Sequence, residues 1–221
     1  AYGIYSGYEL YEHEAVRRAD TRVTALTEQG RSFTPQQRRQ MLTLIGELVQ
    51  TVVPRFKHLS ERGQCELSMT PYGHPLVPLL LDFNTAREAM PGVPLPRHER
   101  YPGGAERAAW HIEHGLEVFK AAFGTHPTGC WPSEGAISQG TLELLDRCDF
   151  RWAASSQNVL RGSLPNSIAD TPYCLPGSRM QCYFRNDALS DRIGFTYATW
   201  HGDDAARNFV DELSQLARNY A

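Results

Sequence analysis

Between residues 63 and 220, short strand-like stretches alternate with amphipathic stretches of helical length, and that order points to an α/β fold on a parallel sheet. Strand-like pieces occupy 65–70, the run into Cys130-Trp131, 150–154 and 180–185. Helical periodicity occupies 105–123, 138–148 and 203–220. A barrel and a doubly wound sheet both satisfy this pattern, and no internal repeat or low-complexity tract competes with it.

The first 60 residues read as mainly helical. Residues 9–28 are charged, with apolar positions at Leu10, Val16, Val23 and Leu26, as in a surface helix. Thr34 followed by Pro35 reads as an N-cap with proline at the first helical position. The helix expected from there, over 36–59, carries Met41, Leu44, Ile45, Leu48, Val49 and Val52 at helical spacing. Pro54 is expected to end or kink it, and Glu61-Arg62-Gly63 breaks the chain.

Composition narrows the partners. With 221 residues and 41% hydrophobic content, the chain can bury a sizeable core. Its net charge of −3 comes from 22 basic and 25 acidic residues without a basic block, so no footprint for nucleic acid or an anionic membrane is visible. A neutral ligand fits better. The five cysteines are odd in number and lack C-x-x-C spacing, which argues against a disulfide framework or structural zinc. No apolar run approaches the roughly 20 residues of a membrane span, and the N-terminus lacks a secretion signal. Cytoplasmic residence is expected; oligomeric state is not legible.

Candidate chemistry gathers where strands end, the place where barrel enzymes expose catalytic groups. Pro71-Tyr72-Gly73-His74-Pro75 is turn chemistry directly after a strand, which puts His74 at that strand's C-terminal end. Glu134 lies between Ser133 and Gly135, just past Trp131, so a ring-shaped ligand can reach the carboxylate while the indole offers an apolar face. The same acid would also suit the first turn of the helix beginning near Ser138. Arg185, Asn186, Asp187, Asp191 and Arg192 crowd between Phe184 and Ile193. A cap at Ser190-Asp191 and an Asp187–Arg192 pair would explain part of that charge. The loop at 90–104 is long enough to be functional, and Trp200-His201-Gly202-Asp203 is placed at the same mouth, with Asp203 read as a helix N-cap. His111 and His114 stand one helical turn apart but lack an acidic partner at ligand spacing, so they read as surface histidines and no metal is expected.

Three of these segments, in order, resemble signature segments of glycoside hydrolase family 57: residues 63–78 the second, 129–136 the third and 184–195 the fourth. Tyr101-Pro102-Gly103-Gly104, Arg107 and Trp110-His111 resemble the intervening region of bacterial members, so the resemblance covers about 63–211. It implies a (β/α)7 barrel, an incomplete relative of the eight-fold TIM barrel, acting on α-glucans or maltooligosaccharides with retention and without a cofactor. The whole chain then reads as one partial catalytic barrel domain, its βα units in 61–221. The family's nucleophile aligns with Glu134. Its general acid/base, an Asp, falls on Asn186, with the neighbouring Asp187 as fallback acid. Substrate contacts are expected from His74, Trp131, Asp191, Trp200 and Trp110. The family's opening His-Gln-Pro segment and its final segment have no counterpart, so the first strand and later elements are expected to lie outside this sequence.

A retaining glycosidase needs two carboxyl groups about 5 Å apart, one to attack the anomeric carbon and one to protonate the leaving oxygen. An amide does not supply that proton, and general acid/base assistance is typically worth about 10²–10⁴ in rate. Neighbours on a strand point to opposite faces, which disfavours Asp187 as a substitute. The expected activity is therefore α-1,4-glucan hydrolysis of amylase or amylopullulanase type, impaired at Asn186. The alternatives are 4-α-glucanotransfer or branching, and glucan binding without catalysis. A metal-dependent polysaccharide deacetylase, a barrel of similar layout, is disfavoured because no Asp/His/His ligand set is visible.

Overall fold

A computed structural model describes residues 20–98, 100–168 and 171–219, and the chain divides into two compact units, 1–66 and 67–221.

In the first unit, α1 (Thr21–Gln29) and α2 (Pro35–Glu61) share a small core of Val23, Leu26, Met41 and Leu44. The rest of the helix expected over 9–28 lies outside the described residues. Thr34 and Gln37 form a reciprocal capping box at the start of α2, as the Thr-Pro signal implies. The Arg22 guanidinium joins Asp20 to Glu47 at 2.9 and 2.8 Å and holds the Asp20 carboxyl below the usual carboxylate range. Of the two outcomes expected at Pro54, an end or a kink, the end does not occur; α2 runs on to Glu61. Pro54 has no N–H to donate to the carbonyl of Gln50, but Gln50 is exposed to solvent, and the turns on either side carry the helix through.

The second unit is built on a five-stranded sheet of β1 (Ser68–Met69), β2 (Gly129–Cys130), β3 (Trp152–Ser156), β4 (Tyr173–Cys174) and β5 (Gln181–Arg185) in the order β1-β2-β3-β5-β4, with β1, β2, β3 and β5 parallel to one another. The edge strand β4 (Tyr173–Cys174) runs antiparallel to β5, so the sheet is mixed rather than wholly parallel as the sequence suggested. This strand escapes detection because it is two residues long and lies between Pro172 and Pro176. β1 is also shorter than the 65–70 expected, and at its C-terminal end Pro71, like Pro132 after β2, has no N–H to extend the ladder. β3 starts two residues late because Phe150 is buried in the core instead.

Helices fill the connections. After β1 come α3 (Val77–Leu81) and α4 (Ala86–Ala89), then a long loop and α5 (Gly104–Phe123). α6 (Gln139–Arg147) follows β2, and α7 (Gln157–Ser163), not foreseen, follows β3 directly with Ser156 as its cap. After β5 the chain forms α8 (Asp187–Asp191), a wide turn over Arg192–Thr196, and α9 (Gly202–Asn219). Asp203 sits inside the first turn of α9, not at the N-cap expected for it. No helix among the described residues is long and apolar enough to cross a membrane.

The core joins Met69, Cys130 and Ala153 of the strands to Ile112 of α5, Leu145 of α6 and Phe150. Two glycines permit this packing. A Cβ on Gly115 would meet Met69 Cε at 2.7 Å, so α5 lies close against β1, and one on Gly129 would lie 1.9 Å from the indole of Trp152. Gly129→Ala should therefore cost about 1–3 kcal/mol of stability through overpacking. Gly162→Ala, in a helical position where no atom lies within 4 Å, should be neutral or stabilise by up to about 1 kcal/mol. Urea midpoints of the two variants check the contrast.

The five cysteines are free thiols. Burial pushes the Cys130 thiol up to about 12 and that of Cys182 up to about 11, from an ordinary 9.0. Both favour the neutral form, so their stabilisation is fully present below about pH 9. It is lost as pH rises from there through the folded values, because the unfolded chain ionises first. Stability should fall between about pH 8 and about pH 10, less so in Cys130→Ala measured against its own neutral-pH value; urea unfolding at both pH values is the check.

Candidate active site

The hydrogen bonds that continue past β1 and β2 build the site. Trp131 N–H donates to Met69 O at 2.8 Å and Thr70 Oγ1 donates to Trp131 O at 3.0 Å, so the chains leave the sheet side by side. Tyr72 N–H then donates to His111 O at 3.0 Å while the His111 ring meets Tyr72 O at 2.5 Å, which ties the first loop to α5. Gly73 and His74 follow with φ of 69° and 55°, and His74 N–H closes the turn on Pro71 O at 3.0 Å. On the second loop, Glu134 has φ 56° and ψ 16°, flanked by turn bonds from Gly135 N–H to Pro132 O and from Ala136 N–H to Ser133 O. Ser155 Oγ donates to Gly135 O at 2.5 Å, pinning this loop to β3.

The outcome is a close pair: His74 Nδ1 lies 3.8 Å from Glu134 Oε1, with 54% and 74% of their side chains exposed. Non-glycine residues with positive φ carry a conformational cost and cluster at functional positions. Here two of them face each other across adjacent strand ends. Glu134 is thus in a one-turn 3₁₀ segment before α6, while the cap of α6 is Ser138, so the helix-dipole explanation of this acid loses its force.

The β5 end is arranged differently from expectation. Asn186 is not on the strand; it is the N-cap of α8, its Oδ1 accepting from Leu189 N–H at 3.1 Å. Asp187 does not pair with Arg192. Its oxygens accept from Arg185 Nε at 3.1 Å and from Asn158 N–H at 3.0 Å, and its side chain is only 17% exposed. Arg192 instead bridges to Glu212 at 3.0 Å, a partner 20 residues on that local sequence does not reveal. Ser190 and Asp191 lie within α8, not at its start, because Asn186 already caps it.

Arg185, held by Asp187, places its guanidinium 5.6 Å from the centroid of Trp131. One contact of the indole is thereby taken by a cation rather than left for a ring-shaped ligand. Trp110, half exposed on α5, stacks on His114 at 5.0 Å and meets Tyr72 edge-on at 5.8 Å, so it belongs to the aromatic group beside the His74 loop. Trp200 is exposed and packs edge-on against Tyr197 at 5.4 Å. Asp191 is exposed at the end of α8. The structure therefore brings His74 to Glu134 and Trp131 to Arg185 and Asp187. Tyr72 and Asn158 escape sequence reasoning because they act through their backbone groups, and Ser155 because its hydroxyl bonds a backbone carbonyl 20 residues away.

The sequence profile described as glycosyl hydrolase family 57 matches residues 13–220, and the chain belongs to that family. Among solved structures it is similar to the α-amylase AmyC from Thermotoga maritima, at 15% identity and a TM-score of 0.47, over 87% of this chain and 33% of that one. It is also similar to a family 57 branching enzyme from Pyrococcus horikoshii, at 16% identity and TM-score 0.47, over 85% of this chain and 32% of that one. A third is a branching enzyme from Thermococcus kodakaraensis, solved with glucose, at 16% identity and TM-score 0.46, over 86% and 34%. The chain thus spans about a third of the length of these proteins. A comparison with curated proteins gives no match.

Asp187→Ala should lower stability by about 1–3 kcal/mol, since it strips a charged acceptor from two donors, and should change Trp131 fluorescence as Arg185 is released. Asp191→Ala, at an exposed position, should stay within about 0.5 kcal/mol of the parent. Urea unfolding, with Trp131→Phe as the fluorescence reference, separates the two.

Proposed function

We propose that the chain carries the nucleophile half of a retaining α-glucan site, on what in the whole protein is a (β/α)7 barrel. Glu134 attacks the anomeric carbon, Asn186 stands where the general acid/base belongs, and Asp187 does not replace it. His74, Trp131 and Trp110 contact the glucan, with Asp191 and Trp200 as further contacts. The observation that carries this proposal is the His74–Glu134 pair, 3.8 Å apart and left-handed on both sides at neighbouring strand ends. An exposed carboxylate fixed there by backbone geometry is free to reach a ligand, and the imidazole beside it can hold a hydroxyl or balance charge.

Asp187 is a poor substitute acid for a reason beyond its position. A carboxylate whose oxygens already accept from a guanidinium and a backbone N–H is turned away from a leaving group. Native α-1,4-glucan is accordingly bound and turned over slowly. The glycosyl intermediate leads to hydrolysis when water reaches it and to transfer or branching when a glucan hydroxyl does. Binding without turnover is the second reading, favoured by the engagement of Asp187.

Asn186→Asp keeps the helix cap, because Asp caps as well as Asn, and should raise cleavage of maltooligosaccharides and soluble starch by about 10²–10⁴. Glu134→Gln in that background should abolish the gain while leaving maltooligosaccharide binding. Product analysis with calorimetric binding checks both; retention of the gain in Glu134→Gln would refute the role given to Glu134.

A further inference from the structure

The inventory of acids at the strand ends limits which bonds the site can break. Within the four residues past each of β1, β2, β3 and β5, the carboxylates are Glu134 and Asp187. Asp187 is engaged by Arg185 Nε and Asn158 N–H, and Asn186 has its Oδ1 on Leu189 N–H. One carboxylate, Glu134, remains accessible, at 74% side-chain exposure. A carboxylate alone suffices to attack an anomeric carbon; what these described strand ends do not offer is a free carboxylic acid to protonate a sugar oxygen as it leaves. The end of β5 holds a cation, Arg185, 46% exposed, bound to Asp187 and 5.6 Å from the centroid of Trp131 on the loop that carries Glu134. A guanidinium so held favours an anion nearby.

Resting on the proposal that Glu134 is the nucleophile, we infer that this site turns over α-glycosyl donors whose leaving group departs as a weakly basic anion, and passes the glycosyl group to acceptors that arrive as anions. In the first step a lone pair of Glu134 forms a bond to C1 while the bond from C1 to the leaving group breaks, the leaving group keeping the electron pair. In the second, a lone pair of the anionic acceptor attacks C1 and the C1–O bond to Glu134 breaks, restoring the carboxylate. Neither step moves a proton, and two inversions return the α configuration.

The test uses α-maltosyl fluoride as donor, sodium azide as acceptor and maltoheptaose as the donor that needs a proton, with the 221-residue chain and its Asn186→Asp variant. The chain should release fluoride, faster with azide, and form α-maltosyl azide. Asn186→Asp should raise maltoheptaose cleavage by about 10²–10⁴. Two outcomes overturn the inference alone. One is maltoheptaose cleavage by the unmodified chain as fast as by Asn186→Asp, which means another group gives the proton; its loss in His74→Asn would name His74. The other is an Asn186→Asp variant active on maltoheptaose beside a parent chain that releases no fluoride. Fluoride release that survives Glu134→Gln, or an Asn186→Asp variant inactive on both donors, instead overturns the proposal about Glu134 on which the inference stands.

Discussion

Ser68 pairs with Gly129 and Met69 with Cys130, and this brief parallel contact sets the position of His74 and Glu134 at the candidate site. Prolines bound it at the C-terminal ends of both strands, and those prolines also start the turns that carry His74 and Glu134. The pairing is possible only while Gly129 leaves room for Trp152 and Gly115 lets α5 lie on Met69. Core packing thereby fixes the origin of two loops, and the bonds from Trp131 to Met69 and from Thr70 to Trp131 keep those loops adjacent beyond the sheet.

From that origin, backbone conformation does the rest. His74 and Glu134 each adopt a positive φ that a β-carbon makes unfavourable, by an amount of order 1–3 kcal/mol per residue. The surrounding bonds hold them there: Tyr72 is clamped to His111 on one side, and Ser155 grips Gly135 on the other. A carboxylate in that position has few protein contacts and faces outward. At β5 the logic is reversed: Asp187 is drawn inward by Arg185 and by the first turn of α7, which makes it a positioning residue for the cation over Trp131. Two acids close in character thus take opposite roles because one is exposed by strain and the other is engaged by donors.

Much of this was legible in the sequence, and what was not has identifiable physical causes. The alternation of strand and helix signals, the Thr34-Pro35 start, α5, α6 and α9 follow from periodicity and capping chemistry. So do the placement of His74 at a strand end and of Glu134 in a turn. β4 was hidden because a two-residue strand between prolines has no period to detect, and the run of α2 through Pro54 depends on turns to either side outweighing one local rule. The Asp187–Arg192 pairing failed for a different reason. Local spacing offers several partners for a charge, and the choice of Arg185 and Asn158 is made by the meeting of β3 and β5, which pair along five residues each. Asn186 was read as a strand residue, whereas its capping bond makes it the start of a helix.

Every step of the proposed chemistry requires Glu134 to form a bond to the sugar. The most direct measurement is mass spectrometry of the chain after incubation with an α-glycosyl fluoride slowed by a second fluorine on the ring, so that the intermediate accumulates. A mass increase of one glycosyl group, mapped to the peptide containing Glu134 and reversed by azide, is the predicted result. Absence of the adduct while the sugar still binds, or its appearance on Asp187, would contradict it.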